Sequence, residues 1–190
     1  IGGDFLRAWI NERGGEIQGS ARIGRTTGLD LALHQPLDPA QRWFVEPGLT
    51  LQRSLEDVFA DGESIARYRF SQGWGYLDAG RVFGNHTELR AGLRSGGQSV
   101  QREIGMPGLP EISGEGYGGL ALRLPRDPRD RDVLWQDGSL LRVTYFRGVE
   151  GLGAGDDYDR LEGMAVTAVP FRDSVAYFRA SGGSSFGAQL

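Results

Sequence analysis

The segment GESIARYRFSQGWGYLDAGRVF, residues 62–83, constrains the fold of this chain more than any other stretch. Apolar and polar residues alternate along it for about twenty residues without an interrupting turn, so it predicts one long β-strand. Strands of soluble sandwiches average about five or six residues, whereas strands that cross a membrane at a tilt and project beyond it are longer. Gly73 and Gly75 are predicted to mark a bulge, because glycines inside strands often accompany one.

The same period-2 alternation recurs along the chain and predicts an all-β, antiparallel fold. In TGLDLALH, for example, Leu29, Leu31 and Leu33 share one face. Glycine and proline occur too often for long helices, and no stretch shows a sustained helical period. Ten strands are predicted, at about residues 4–12, 16–24, 28–36, 42–57, 64–83, 87–103, 115–125, 139–151, 158–170 and 175–184.

The two faces of the predicted sheet differ in character. The polar faces are assigned Arg67, Arg69, Arg90, Arg94, Arg142 and Arg179, with Asp78, Glu88 and Glu162, and the apolar faces are assigned Tyr68, Phe70, Trp74 and Tyr145. In a closed barrel the charged residues would pair across a wet interior, and the apolar face with its aromatic residues would contact lipid. Only a closed sheet satisfies every backbone group in lipid. The alternation therefore favours a transmembrane β-barrel, and a soluble β-sandwich binding module is the alternative.

The predicted connections also alternate in length. RGGE, GNHTE and FRDS are tight, whereas EDVFADGES, IGMPGLPEISGE and GLGAGDD are longer and rich in glycine and acidic residues. Short turns on one side and longer loops on the other are typical of outer-membrane barrels, whose short turns face the periplasm. Two connections depart from this pattern, because LPRDPRDRDVLWQDGS is long on the short side and GRTTG is short on the long side.

Composition excludes few classes of function. The net charge of -4 argues against a nucleic-acid partner, which usually selects a basic face. Cysteine is absent and all 21 basic residues are arginine. No run reaches the roughly 18 apolar residues that a membrane helix needs. The chain starts without methionine and inside patterned structure, so we expect it to be a piece of a longer protein.

One stretch near the end of the chain matches a catalytic motif. Ser185 lies in GSSFG, which has the G-x-S-x-G spacing of a serine-hydrolase nucleophile. The preceding strand alternates and carries Arg179, and no helix or aspartate follows within the chain, so Ser185 is interpreted as a strand-end serine. His34 and His86 lack metal-ligand spacing, and the acidic turns do not fit a calcium loop. We therefore expect no catalytic residue, no cofactor-binding residue, no metal ligand and no cofactor in this chain.

The stretch HQPLDPAQRWFVEPGL, residues 34–49, resembles part of the carboxy-terminal barrel of bacterial patatin-like proteins of the type V secretion class. That barrel is a surface antigen of the BamA/TamA-like superfamily. The family's turn and strand are matched by Gln35, Pro36, Leu37 and Asp38 and by Phe44, Val45, Glu46 and Pro47. The likeness continues through ARYRFSQGWGYLDAGRVFGNHTELRAGL and into the tail, whereas DPRDRDVLWQDGS lacks the family's Phe-Pro pair.

The resemblance implies that residues 1–190 are one outer-membrane β-barrel domain, incomplete at both ends, with about ten strands of a sixteen-stranded barrel. The chain would then be a translocator or anchor, not itself an enzyme, for an N-terminal patatin-like phospholipase in the bacterial outer membrane. Its partners would be outer-membrane lipid, the barrel assembly machinery and that passenger domain. A BamA/TamA-like factor for assembly or export of outer-membrane proteins is the alternative.

Overall fold

The fold consists of β-strands joined by short connections, seen in a computed structural model that describes residues 1–60, 63–84, 87–105, 112–126, 138–172 and 174–187. The strands are β1 (Gly2–Arg7), β2 (Glu16–Arg22), β3 (Thr26–Pro36), β4 (Trp43–Ala60), β5 (Glu63–Phe83), β6 (Thr87–Gly105), β7 (Ile112–Arg126), β8 (Gly138–Gly148), β9 (Tyr158–Phe171) and β10 (Ser174–Phe186). A single 3₁₀ turn, Glu150–Leu152, lies between β8 and β9. Each strand overlaps a predicted one, so the all-β prediction is confirmed. None of the helices in the described ranges is long and apolar enough to span a bilayer.

The ten strands form one antiparallel sheet in chain order, with each strand paired to the next. β1 and β10 are the two edges and have one neighbour each, so the described strands form an open sheet. A sandwich requires two sheets that face each other, and the described residues contain only one. The single antiparallel sheet thus agrees with the prediction, and its closure is not observed.

The two ends of the sheet differ because three strands project beyond the others. Residues 8–15, 37–42, 84–86, 127–137 and 172–173 connect strands at one end, the turn end, and residues 23–25, 61–62, 106–111 and 149–157 connect them at the other, the loop end. β4, β5 and β6 are 18, 21 and 19 residues long and extend past their neighbours at the loop end. The predicted long connection EDVFADGES is therefore wrong, since β4 and β5 include all of it except residues 61–62.

The predicted bulge at Gly73 and Gly75 is also wrong. Both glycines pair in regular register, opposite Leu51 and Leu49 of β4. A Cβ added at Gly73 would lie 2.8 Å from Leu51 Cδ2, so this glycine accommodates a cross-strand leucine. The register shifts instead near the loop end, between Arg67 and Tyr68 where β5 pairs with β6 and at two places on β4 and β6.

Among the described strand residues, side chains are buried on only one face of the sheet, which we call the inner face. Phe44, Asp78 and Phe146 point to it and are 1%, 1% and 5% exposed. A cavity of about 390 Å³ on this face is lined by residues from Thr50 of β4 to Arg160 of β9. Neighbouring strands lie about 4.8 Å apart, so residues five strands apart line one cavity only if the sheet curves around its inner face. The core of the protein is the concave side of a single layer.

Candidate functional surfaces

The opposite, outer face carries a continuous apolar band. In the register of the sheet, Leu77, Leu93 and Leu120 form one outward row across three strands. The large outward side chains of the band are 37–63% exposed and comprise Ile17, Leu49, Leu51, Leu77, Leu89, Leu93, Leu120, Leu122, Leu141, Tyr145, Leu161, Val169 and Phe178. Proteins in water rarely expose apolar patches of more than a few hundred Å², and larger ones mark membrane or protein contacts. The apolar band of the outer face is therefore expected to contact a membrane or another protein surface.

Aromatic and charged residues border this band at the turn end. The guanidinium of Arg81 lies 5.0 Å from the ring centre of Trp43 and 4.9 Å from that of Phe83. Arg172 lies 5.5 Å from the ring centre of Phe171 in the same way. Such cation–π pairs combine an apolar ring with a group that prefers water, as expected at a boundary between apolar and aqueous surroundings.

The border at the loop end contains more charge. The Tyr145 hydroxyl donates a 2.5 Å hydrogen bond to Asp159 Oδ1. On β4 the outward residues change from Leu51 to Arg53 within two positions, and on β5 they change from Gly73 to Arg69 within four. The apolar band thus ends abruptly on this side.

The inner face, in contrast, carries charged groups that neutralise one another. Glu46 is 5% exposed, and its Oε1 lies 2.8 Å from Arg90 Nη1 and accepts a 3.4 Å bond from the Tyr76 hydroxyl. Its Oε2 lies 3.1 Å from His34 Nδ1. Arg90 also donates from Nε to Glu88 at 2.7 Å. A buried charge is costly unless it is paired and hydrogen-bonded, and this network meets both requirements.

A second inner network surrounds Asp78. Arg94 Nη2 lies 3.1 Å from Asp78 Oδ1 and donates to Oδ2 at 3.3 Å. Arg123 donates to the same Oδ2 from the far side of β6. The Arg94 guanidinium also lies 4.6 Å from the ring centre of Tyr76. The predicted pairing of arginine with acidic residues of other strands is observed for Asp78, whereas Glu88 pairs with Arg90 of its own strand.

Aromatic rings on the inner face lie over glycines of the neighbouring strand. Gly48 is paired with Tyr76, Gly80 with Phe44, and Gly148 with Tyr158. A Cβ added at any of these three glycines would clash with the facing ring. The rings therefore lie flat against the backbone of the neighbouring strand. They project less far from the inner face than they would if a residue with a side chain lay beneath them.

The predicted faces of β5 need a correction. Tyr68, Phe70 and Trp74 share the inner face with Asp78, and Arg67 and Arg69 lie on the outer face. The inward and the outward residues of β5 each include polar and apolar side chains. Alternation therefore predicts the strand but does not show which of its two sets of residues points inward. The assignments of Arg90, Arg94, Arg142, Arg179, Glu162 and Tyr145 agree with the register.

The residues behind the family resemblance have structural roles in the turn between β3 and β4. Asp38 Oδ1 accepts hydrogen bonds from the backbone N–H groups of Arg42 and Trp43, both at 2.8 Å. The N–H of Trp43 contributes most to lowering the pKa of Asp38 below its usual value. Phe44 and Glu46, which follow this turn, point inward.

Within the described ranges, no histidine or carboxylate is hydrogen-bonded to Ser185. Ser185 is exposed near the end of β10, paired with Arg160, and its hydroxyl makes no hydrogen bond to any residue in the described ranges. His34, on β3, belongs to the Glu46 network, and His86 lies outside the described residues. No cluster of three His, Asp or Glu side chains able to hold a metal ion occurs among the described residues.

Comparison with known proteins gives no family assignment. The chain matches no family model, and no curated protein is significantly similar to it. The functional argument therefore rests on the two faces of the sheet.

Proposed function

We propose that this sheet is part of the wall of a transmembrane β-barrel in the bacterial outer membrane. The observation that carries the proposal is the opposite character of its two faces. Leucines cover the outer face, while Glu46, Asp78 and their arginines are buried on the inner face. A soluble sheet would bury its leucines and expose its charges, whereas a membrane barrel surrounds a polar interior and presents an apolar band to lipid.

The dimensions of the band support a lipid contact. On β9 the outward apolar residues extend from Leu161 to Phe171. Ten residue steps of about 3.3 Å give roughly 33 Å along the strand, or about 25 Å along the barrel axis at a tilt of about 40°. Outer-membrane barrels have an apolar band about 25 Å tall, flanked by aromatic girdles. Trp43 and Phe83 supply such a girdle at the turn end.

The open edges of the sheet require additional strands or a closing contact. β1 and β10 each leave one side of the backbone without a strand partner among the described residues. Unpaired backbone groups in lipid cost several kcal/mol each, so the edges must pair before the sheet is stable in a bilayer. A larger barrel that contains these ten strands satisfies this condition, in accord with the sixteen strands that the family resemblance implies.

The role that we propose for this barrel is that of a translocator or anchor for an amino-terminal patatin-like phospholipase. Support comes from the resemblance of residues 34–49 and 66–93 to the barrels of such fusions. The barrel itself then supplies no catalytic group, and its partners are membrane lipid, the assembly machinery and the attached passenger.

Fractionation of cells that express the full-length gene product tests the proposal. The protein should stay with the outer membrane after washing in alkaline carbonate, which releases peripheral proteins. Its release into the soluble fraction would contradict the membrane assignment. Retention together with phospholipase activity in washed membranes would support the fusion, and retention without lipase activity would point to an assembly or export factor.

A further inference from the structure

The outer face carries a group of charged residues directly beyond the apolar band at the loop end. This outer arginine cluster comprises Arg25, Arg53, Arg67 and Arg69 with Asp57 and Glu103. Asp57 holds two of the arginines, with Arg25 Nη2 at 2.5 Å and Arg67 Nε at 2.7 Å. Glu103 holds the other two, of which Arg69 is in direct contact and Arg53 Nη2 lies at 3.7 Å.

The cluster has an excess of positive charge and unused hydrogen-bond donors. Four guanidinium groups face two carboxylates, which leaves a net charge of about +2 on these side chains. The distance from Arg53 to Glu103 is too long for a hydrogen bond, and the buried Nε of Arg69 has no acceptor in the described part of the chain. Each guanidinium carries five N–H donors, so donors on the exposed parts of these side chains remain available to a ligand.

The cluster is partly pre-organised by the protein. Arg25 Nε also donates to the backbone carbonyl of Leu55 at 3.0 Å, which fixes this guanidinium beside Asp57. The arginine side chains are still 33–64% exposed. They therefore present a fixed positive surface to the outside of the sheet.

The position of the cluster indicates what it contacts. Arg53 is the next outward residue after Leu51 on β4, about 7 Å further along the strand. If the apolar band contacts the hydrocarbon of a bilayer, the guanidinium groups lie at the depth of the lipid headgroups. Arginine binds phosphate through paired N–H donors and is therefore preferred at such sites.

We infer that the outer arginine cluster binds the phosphate groups of the doubly phosphorylated glucosamine lipid of the outer leaflet. The inference rests on the proposed membrane function. The cluster has two centres, one at Asp57 and one at Glu103, and each joins a pair of arginines. A headgroup that carries two phosphates has one phosphate for each centre. A phospholipid with one phosphate engages only one of them.

Lipid binding by the purified full-length protein in a non-ionic detergent tests this inference. The probes are diphosphoryl lipid A, phosphatidylglycerol at equal total charge and zwitterionic phosphatidylethanolamine, and binding is measured by native mass spectrometry. We expect the wild-type protein to bind lipid A at least tenfold more tightly than phosphatidylglycerol. Equal affinity for the two anionic lipids would overturn the assignment to a doubly phosphorylated lipid.

Two variants identify the binding residues. The double variant R53Q/R69Q should lose at least tenfold in affinity for lipid A. The control R81Q removes an outward arginine at the opposite border of the band and should change this affinity by less than twofold. An unchanged affinity in R53Q/R69Q, or an equal loss in R81Q, would overturn the inference.

A charge-conserving variant separates a loss of lipid contacts from a general folding defect. R53K/R69K keeps both positive charges but not the paired N–H donors, so it should bind lipid A less tightly than wild type and more tightly than R53Q/R69Q. Wild-type affinity in this variant would overturn the role of paired donors. If the wild-type protein is washed from membranes by carbonate, the proposed function itself fails. If it stays in membranes while R53Q/R69Q binds normally, only this inference fails.

Discussion

Replacement of Leu49 by arginine distinguishes a sheet that faces lipid from one that faces water. Leu49 lies on the outer face opposite Gly75, midway between the turn-end and loop-end borders of the band, and is 38% exposed. In water an arginine at so exposed a position would change the free energy of unfolding by about 1 kcal/mol or less. At the bilayer midplane it costs about 2–4 kcal/mol, which is a factor of roughly 30 to 1,000 in the folding equilibrium.

The matched control for this prediction is Gln52→Arg on the same strand. Gln52 lies on the inner face, where it accepts a 3.2 Å hydrogen bond from Gln72 Nε2. An arginine there enters a polar interior, so we expect a loss of about 1 kcal/mol, the value of one hydrogen bond. Folding into short-chain phosphatidylcholine vesicles, followed by tryptophan fluorescence over a urea gradient, measures both variants. Equal destabilisation by the two substitutions, or a loss below about 1 kcal/mol for Leu49→Arg, would refute the lipid-facing assignment.

Three further substitutions test details of the sheet. Gly48→Val should destabilise the protein by about 1–3 kcal/mol, because the added side chain clashes with the ring of Tyr76; in the same urea titration Gly163→Val, which meets open space, should cost less. Asp38→Asn should lower the melting temperature at neutral pH, because the folded state lowers the pKa of Asp38 and is therefore stabilised by the ionised carboxylate. This stabilisation is present above the unfolded-state pKa and is lost as Asp38 is protonated, so the difference in melting temperature should shrink below about pH 4. A difference that is independent of pH would contradict this. Ser185→Ala should leave any esterase activity of the full-length protein unchanged, and a large loss would restore Ser185 as a nucleophile.

The strands were predictable because alternation is a local property of the chain. Leu29, Leu31 and Leu33 identify β3 without knowledge of any other strand, and the long alternation of residues 62–83 predicts the longest strand of the sheet. The boundaries at the loop end were less predictable. Glycine and acidic residues at positions 56–64 suggested a loop, yet β4 and β5 continue through most of this stretch because each provides the other with backbone hydrogen bonds.

The orientation of β5 could not be obtained from its own residues. Arg67 points outward because Asp57 on β4 is directly opposite in the register, and Trp74 points inward with Asp78. These facts depend on the neighbouring strand rather than on alternation. For the same reason the outer arginine cluster could not be predicted from the sequence, since its members come from β4, β5, β6 and a connection. Outward arginine–carboxylate pairs become visible only when the register between neighbouring strands is known.

The pairing of glycines with aromatic residues also governs how the hairpin of β4 and β5 can form. Phe44 opposite Gly80 and Gly48 opposite Tyr76 place each ring over a residue without a side chain. A slip of two residues in one direction would place Phe44 against Asp78 and Tyr76 against Glu46, so that each ring meets a carboxylate instead. A slip of one residue would turn the leucines of one strand to the inner face. Misaligned hairpins are therefore poorer in energy at several positions at once. We expect this hairpin to select its own alignment early in folding and then to act as a correctly registered template for the strands that add to it.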